Sequence, residues 1–104
     1  MQKFGLKKEV IEEIVNIISK YPEVKKAQIY GSRARGDYKY NSDIDIVLFG
    51  EKITNSIHTK IYFELEEMYI PYTVDLINFN SLNEEDKLYE SILKEGVDIY
   101  ARES

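Results

Sequence analysis

The chain contains no cysteine, which excludes a disulfide framework, a thiolate nucleophile and a cysteine-ligated zinc site. It has one histidine, His58, set in a helical stretch and expected to decorate a helix face rather than to take part in catalysis. No segment approaches the ~20 apolar residues needed to span a bilayer. The opening Met1-Gln2-Lys3-Phe4-Gly5 lacks the apolar run of a secretory signal, so a cytoplasmic location is the expectation. Internal repeats and low-complexity tracts are absent. Positive charge is also short: 14 basic residues against 19 acidic give a net charge of −5, which argues against direct DNA or RNA binding through phosphate neutralisation. With 104 residues the chain can bury one core without cross-links, and a single domain over residues 1–104 is expected.

Charge is more informative once it is mapped. Between Lys25 and Lys39, five basic residues (Lys25, Lys26, Arg33, Arg35 and Lys39) face Asp37 alone, a local +4 on a body that otherwise carries −9. A basic spot of that size suits a small polyanion better than a long one. From Glu84 to Glu103, seven acids face three bases, most simply a solvated face and otherwise a place for a basic partner.

The basic spot surrounds the most informative motif. An apolar run, Ala27-Gln28-Ile29-Tyr30, enters Gly31-Ser32; a polar loop follows through Ser42; then Asp43-Ile44-Asp45 opens a second apolar run to Phe49. Glycine lets the backbone turn tightly and approach a ligand. Serine beside it is a favoured helix N-cap, where free N–H groups and a hydroxyl point together at an anion such as a triphosphate. Arg33 and Arg35 add guanidinium forks suited to phosphate oxygens. On a strand, Asp43 and Asp45 leave the same face, roughly 6–7 Å apart. Paired carboxylates of this kind bind magnesium-type ions that also take substrate phosphates as ligands, and two such ions clamp both oxygens of an in-line displacement. A third acid has a candidate in Asp75, lone within Tyr72-Thr73-Val74-Asp75-Leu76-Ile77, since a carboxylate in an apolar strand needs a partner, a metal or an exposed face. The combination points to nucleotidyl transfer. Tyr38 and Tyr40, between the two halves of the motif, are candidates for stacking on a base or touching a protein acceptor.

Periodicity arranges the remainder around this segment. Val10, Ile11, Ile14, Ile17 and Ile18 predict a helix from about Lys7 to Lys20, ended by Tyr21-Pro22. Strands are predicted at about Lys26–Tyr30, Asp43–Phe49, Thr73–Ile77 and Val97–Ala101, with a short helix from Ser32 to Gly36 and another through Ile57, Ile61, Leu65 and Met68 that stops before Pro71. Ser81-Leu82-Asn83-Glu84 fits a capping box that would open a last helix through Leu88, Ile92 and Leu93 to Gly96. Alternating elements of this kind give a small α/β (α+β) domain, a mixed sheet with helices packed on it.

Gly31-Ser32, ten intervening residues, then Asp43-x-Asp45, with Asp75 at the place of a third acid, resembles the signature of the DNA polymerase beta-like nucleotidyltransferase superfamily. Over nearly its full length, down to the closing Leu93–Tyr100 segment, the chain resembles the smallest members, the minimal nucleotidyltransferases or MntA-like proteins. The resemblance implies that fold and transfer of AMP from ATP to a hydroxyl. It assigns Asp43, Asp45 and Asp75 as catalytic metal ligands for two Mg2+ ions, and Gly31 and Ser32, with Arg33 and Arg35 beside them, as the phosphate-holding residues. It further implies an all-helical HEPN partner, a toxin whose tyrosine would be adenylylated in a toxin–antitoxin pair of undetermined oligomeric state. Two alternatives stand beside it: a non-catalytic module that neutralises a partner by complex formation, and a transferase acting on a small molecule.

Overall fold

The structure, a computed structural model, describes residues 2–103. The terminal residues of the domain expected over 1–104, Met1 and Ser104, lie outside them. The described residues order as β1 (Gln2–Lys3), β2 (Leu6–Lys7), α1 (Lys8–Ser19), β3 (Lys26–Tyr30), α2 (Ser32–Arg35), β4 (Ile44–Phe49), α3 (Asn55–Glu66), β5 (Val74–Asn78), a 3-10 turn at Phe79–Ser81, α4 (Lys87–Glu95) and β6 (Val97–Ala101). The main sheet has the order β5-β4-β3-β6. β3 runs antiparallel to both β4 and β6, whereas β4 and β5 are parallel, so the sheet is mixed as expected from the sequence.

Alternation along β4 separates the two faces of the sheet. Ile44, Ile46 and Leu48 are fully buried together with Ala27 and Ile29 of β3, and Val74 and Leu76 of β5 join the same cluster. Ile14 and Ile18 of α1 and Ile61 and Leu65 of α3 close that core from outside, at the i, i+4 spacing that puts both residues of each pair on one helix face. Truncating a central member such as Ile46 to alanine would cost about 2–5 kcal/mol. Lys20 and Tyr21 both reach Glu64, tying the end of α1 to α3. The opposite face is covered over only part of its area: Ile92 of α4 packs on Tyr30 and Val47, with Phe49, Ile77, Phe79 and Leu88 around them. That cover leaves the start of β4 and β5 as the less shielded end, and the acids sit there.

Two local expectations are corrected. The first helix is shorter than Lys7–Lys20 and is preceded by a two-stranded hairpin, β1–β2, too short to register as a periodic pattern. The capping box at Ser81–Glu84 does not form. Ser81 Oγ donates to Asn78 O instead, Asn83 N donates to Asp86 Oδ2, and α4 starts only at Lys87. Asn78 closes its own turn by accepting from Asn80 N, so the polar side chains between β5 and α4 are engaged with loop backbone, a competition that Ser, Asn and Asp commonly win against helix formation.

Candidate active site

The pairing register puts the acidic residues in a row. Asp45 of β4 lies opposite Tyr30 of β3 on one side and opposite Asp75 of β5 on the other, so all three side chains rise from one face. Neighbouring strands lie about 4.8 Å apart, which sets the spacing of Asp45 and Asp75. Asp43 precedes Asp45 by two positions. Ile44 N donates to Thr73 O at 2.9 Å, so the extended backbone already continues at that end and Asp43 shares the face. Asp43 and Asp75 are exposed and Asp45 is half-buried.

Electrostatics follow from this crowding. Burial first, and then the Asp75 and Asp43 charges, push the Asp45 carboxyl up to about 6, against the opposing charges of Arg33 and Arg35. The Tyr30 hydroxyl, 5% exposed and 3.4 Å from Asp75 Oδ2, is held well above the usual phenol range, chiefly by burial and then by the Asp75 and Asp45 charges. A row of like charges on an open face is an arrangement that a cation relieves.

Gly31 is the turn between β3 and α2. Its φ of 73° is the left-handed region that glycine enters without penalty, and a Cβ built there would fall 2.5 Å from Asp45 Oδ2. The glycine therefore leaves room for the carboxylate to lie against the backbone of the turn. Gly31, not Ser32, occupies the N-cap position; Ser32 is the first residue of the four-residue α2. Gly31 O accepts from Ala34 N and Arg35 N, which leaves the Ser32 and Arg33 amides ahead of the first helical bond, where orphan donors are found.

The arginines behave differently from the phosphate-binding expectation. Arg33 is 2% exposed, and its guanidinium donates to Phe4 O, Tyr40 O, Ser42 O and Asp43 O at 2.7–3.3 Å, with the Tyr38 and Tyr72 rings 5.2 and 4.8 Å from its centre. Donors engaged in this way cannot also grip a phosphate, so Arg33 is an internal anchor. Arg35 is exposed and pairs with Asp37 and Glu95, at 3.2 and 3.0 Å. Tyr38 packs on Arg33, whereas Tyr40 is 87% exposed. His58 Nε2 donates to Leu76 O at 2.8 Å, capping a carbonyl of the edge strand β5.

Among the described residues, no three acidic or histidine side chains are gathered tightly enough to enclose one ion. The donor set is nonetheless all carboxylate, spread along a strand and across to its neighbour beside a glycine turn that a Cβ would fill. Such a set fits a hard divalent ion that keeps waters and substrate phosphates among its ligands, rather than one caged by protein. Sequence reasoning missed Tyr30. The available signal was its position: the last residue of the predicted Lys26–Tyr30 strand, one step before the glycine turn.

The geometry is a row of carboxylates beside a glycine turn on a small mixed sheet, and comparison with known proteins gives the family. The family described as "Polymerase beta, Nucleotidyltransferase" matches residues 12–104. The chain is 38% identical over 92 residues to the Methanocaldococcus jannaschii protein named "Putative protein adenylyltransferase MJ0435", covering 88% of this chain and 95% of that one. Among solved structures, it superimposes on a chain of a toxin–antitoxin crystal structure with AMP-PNP at a TM-score of 0.72 and 20% identity, over 88% of this chain and 73% of the other. A chain from a complex of tri-AMPylated Shewanella oneidensis HEPN toxin with MNT antitoxin matches at a TM-score of 0.69 and 16% identity, over 93% and 74%. At those identities the structural likeness establishes the fold. The family match and the curated relative carry the assignment: this chain belongs to the polymerase beta nucleotidyltransferase family. No helix among the described residues is long and apolar enough to cross a membrane.

Proposed function

We propose that the protein transfers AMP from ATP to a hydroxyl of a partner protein, most specifically a tyrosine of an all-helical HEPN-type toxin, and so acts as the antitoxin of a pair. The observation that carries this reading is the in-register placement of Asp45 beside Asp75, with Asp45 Oδ2 lying against Gly31. The name of the curated relative supports protein adenylylation, and the AMPylated toxin complex among the structural neighbours supports the partner class.

In this reading Asp43 and Asp45 would hold two Mg2+ ions, and Asp75 would complete the set on the acceptor side. When bound, the ions neutralise phosphate charge and acidify the attacking hydroxyl. The backbone at Gly31 and Ser32 orients the β- and γ-phosphates. Asp75, on the exposed strand face, aligns the acceptor oxygen and accepts its proton, and Tyr30 steadies Asp75 from below. The acceptor oxygen bonds to the α-phosphorus as the bond to the β-phosphate oxygen breaks, and pyrophosphate leaves. Little covalent work falls to the protein in such a transfer, so placement of charge sets the rate. Arg35 contributes its charge near the phosphates, while Arg33 acts from inside the fold.

The test is to mix the purified chain with an all-helical HEPN-type protein, ATP and Mg2+, and take that protein's intact mass. A nucleotide-sized increase, lost in Asp45→Asn, supports transfer. A stable complex with no mass change would instead establish a non-catalytic binding module.

A further inference from the structure

The family match begins at residue 12, yet the hairpin ahead of it is built into the site. Its two-residue turn carries Phe4 at φ 61° and Gly5 at φ 71°. A bulky residue in that region is an outlier that the surroundings must hold in place. What holds it is visible: Phe4 O accepts from Arg33 Nη1 at 2.9 Å, and a Cβ on Gly5 would sit 2.3 Å from the Tyr38 ring. The same guanidinium reaches Tyr40 O, Ser42 O and Asp43 O, so one buried side chain joins the hairpin turn to the loop that delivers Asp43. Ser42 closes that loop a second time, through Lys39 N to its Oγ at 2.9 Å and its own N to Lys39 O at 3.0 Å. Tyr72, which leads into β5 and Asp75, also packs on the guanidinium, its ring centre 4.8 Å away.

We infer that Arg33 and the N-terminal hairpin of residues 2–7 together form a positioning bracket, which holds the 36–43 loop so that Asp43 is presented beside Asp45. The inference rests on the nucleotidyl-transfer reading for its link to metal, but the bracket itself is a statement about loop order. Arg33 touches the Asp43 backbone and not its carboxylate in this arrangement, so it acts through Asp43. Arg33 connects the turn of a hairpin, itself seated on the core through Leu6, to an otherwise irregular loop and to the entry of the strand bearing Asp75.

Two single variants of the full chain test it, Arg33→Lys, which keeps charge but loses the fork, and Gly5→Ala, which forces the hairpin turn off Tyr38. In metal-free protein, amide hydrogen exchange of residues 37–43 is expected to speed up in both while β3, β4 and β5 stay protected. The Mg2+ concentration giving half-maximal AMP transfer is expected to rise roughly tenfold, as it does when outer partners of metal ligands are lost, with transfer largely restored at saturating Mg2+. A purely structural role would lower the amount of active protein and leave that midpoint unmoved. Unchanged loop exchange, or an unchanged Mg2+ midpoint in a folded variant, would overturn the inference. If Arg33→Lys fails to fold, Gly5→Ala decides by the same two readouts. A wild-type chain that transfers nothing, or is indifferent to Asp43→Asn, would bring down the nucleotidyl-transfer reading instead, and the exchange data would still judge the bracket.

Discussion

Replacing Asp45 with asparagine should stabilise the metal-free protein at neutral pH while abolishing transfer. The Asp45 carboxyl is pushed up from 3.8 to about 6 by burial and by Asp75 and Asp43. A raised carboxyl pKa means that the folded state holds its proton more tightly than the unfolded chain does. The protonated form therefore favours folding below about pH 4, this advantage fades as pH rises through about 6, and above that the ionised carboxylate is a cost. About two pKa units at ~1.4 kcal/mol each give an upper bound near 3 kcal/mol. Asp45 is only half-buried, so solvent screening reduces the realistic gain to about 1–2 kcal/mol. For a domain of this size that is a rise in melting temperature of roughly 5–10 °C. The assay is thermal unfolding by circular dichroism in EDTA at pH 7, 5 and 4, wild type against Asp45→Asn. The offset should be largest at pH 7, smaller at pH 5 and nearly gone at pH 4, and Mg2+ should raise the melting temperature of wild type more than that of the variant. A variant that melts at or below wild type at pH 7, or an offset equal at all three values, would refute the reasoning.

Three further outcomes are expected. Gly31→Ala should lose nearly all transfer, because its Cβ would fall 2.5 Å from Asp45 Oδ2 and its φ of 73° penalises any side chain; steady-state turnover checks this, and near-normal turnover would mean that the glycine turn does not abut the reacting centre. Tyr30→Phe removes a long hydrogen bond to Asp75, worth about 0.5–1.5 kcal/mol, so the specificity constant should fall by no more than about tenfold with the fold intact; complete loss would make the hydroxyl a reacting group. Arg35→Ala should weaken ATP binding, read by calorimetry, by only a few fold, since its guanidinium is exposed and already paired with Asp37 and Glu95; a loss of a hundredfold or more would restore it as a principal phosphate ligand.

The parts of the site that could be read from the sequence are those whose chemistry is carried by spacing. Asp45 and Asp75 sit in strands recognisable as apolar runs, with Asp43 one residue ahead of the first, and in-register pairing of the two strands was enough to set Asp45 beside Asp75. Arg33 shows the opposite case. Its charge is visible in the sequence, but its burial depends on carbonyls from residues 4, 40, 42 and 43 and on two rings, a tertiary arrangement that no local pattern encodes. The hairpin of residues 2–7 gives two-residue strands, below the length at which a period of two can be detected. Ser81 to Glu84 matched a helix start, yet in the fold Asn78 and Asp86 close loop turns of their own and the helix begins later. Local propensity lost there to a turn that fixes the exit of β5.

The central claim is that the carboxylate row beside Gly31 transfers a nucleotide. Its most direct test is the intact mass of an all-helical HEPN-type protein after incubation with this chain, ATP and Mg2+, with Asp43→Asn, Asp45→Asn and EDTA in parallel. The expected result is a nucleotide-sized gain in the wild-type reaction alone. A gain that survives either substitution or the removal of metal would contradict the assignment of the site.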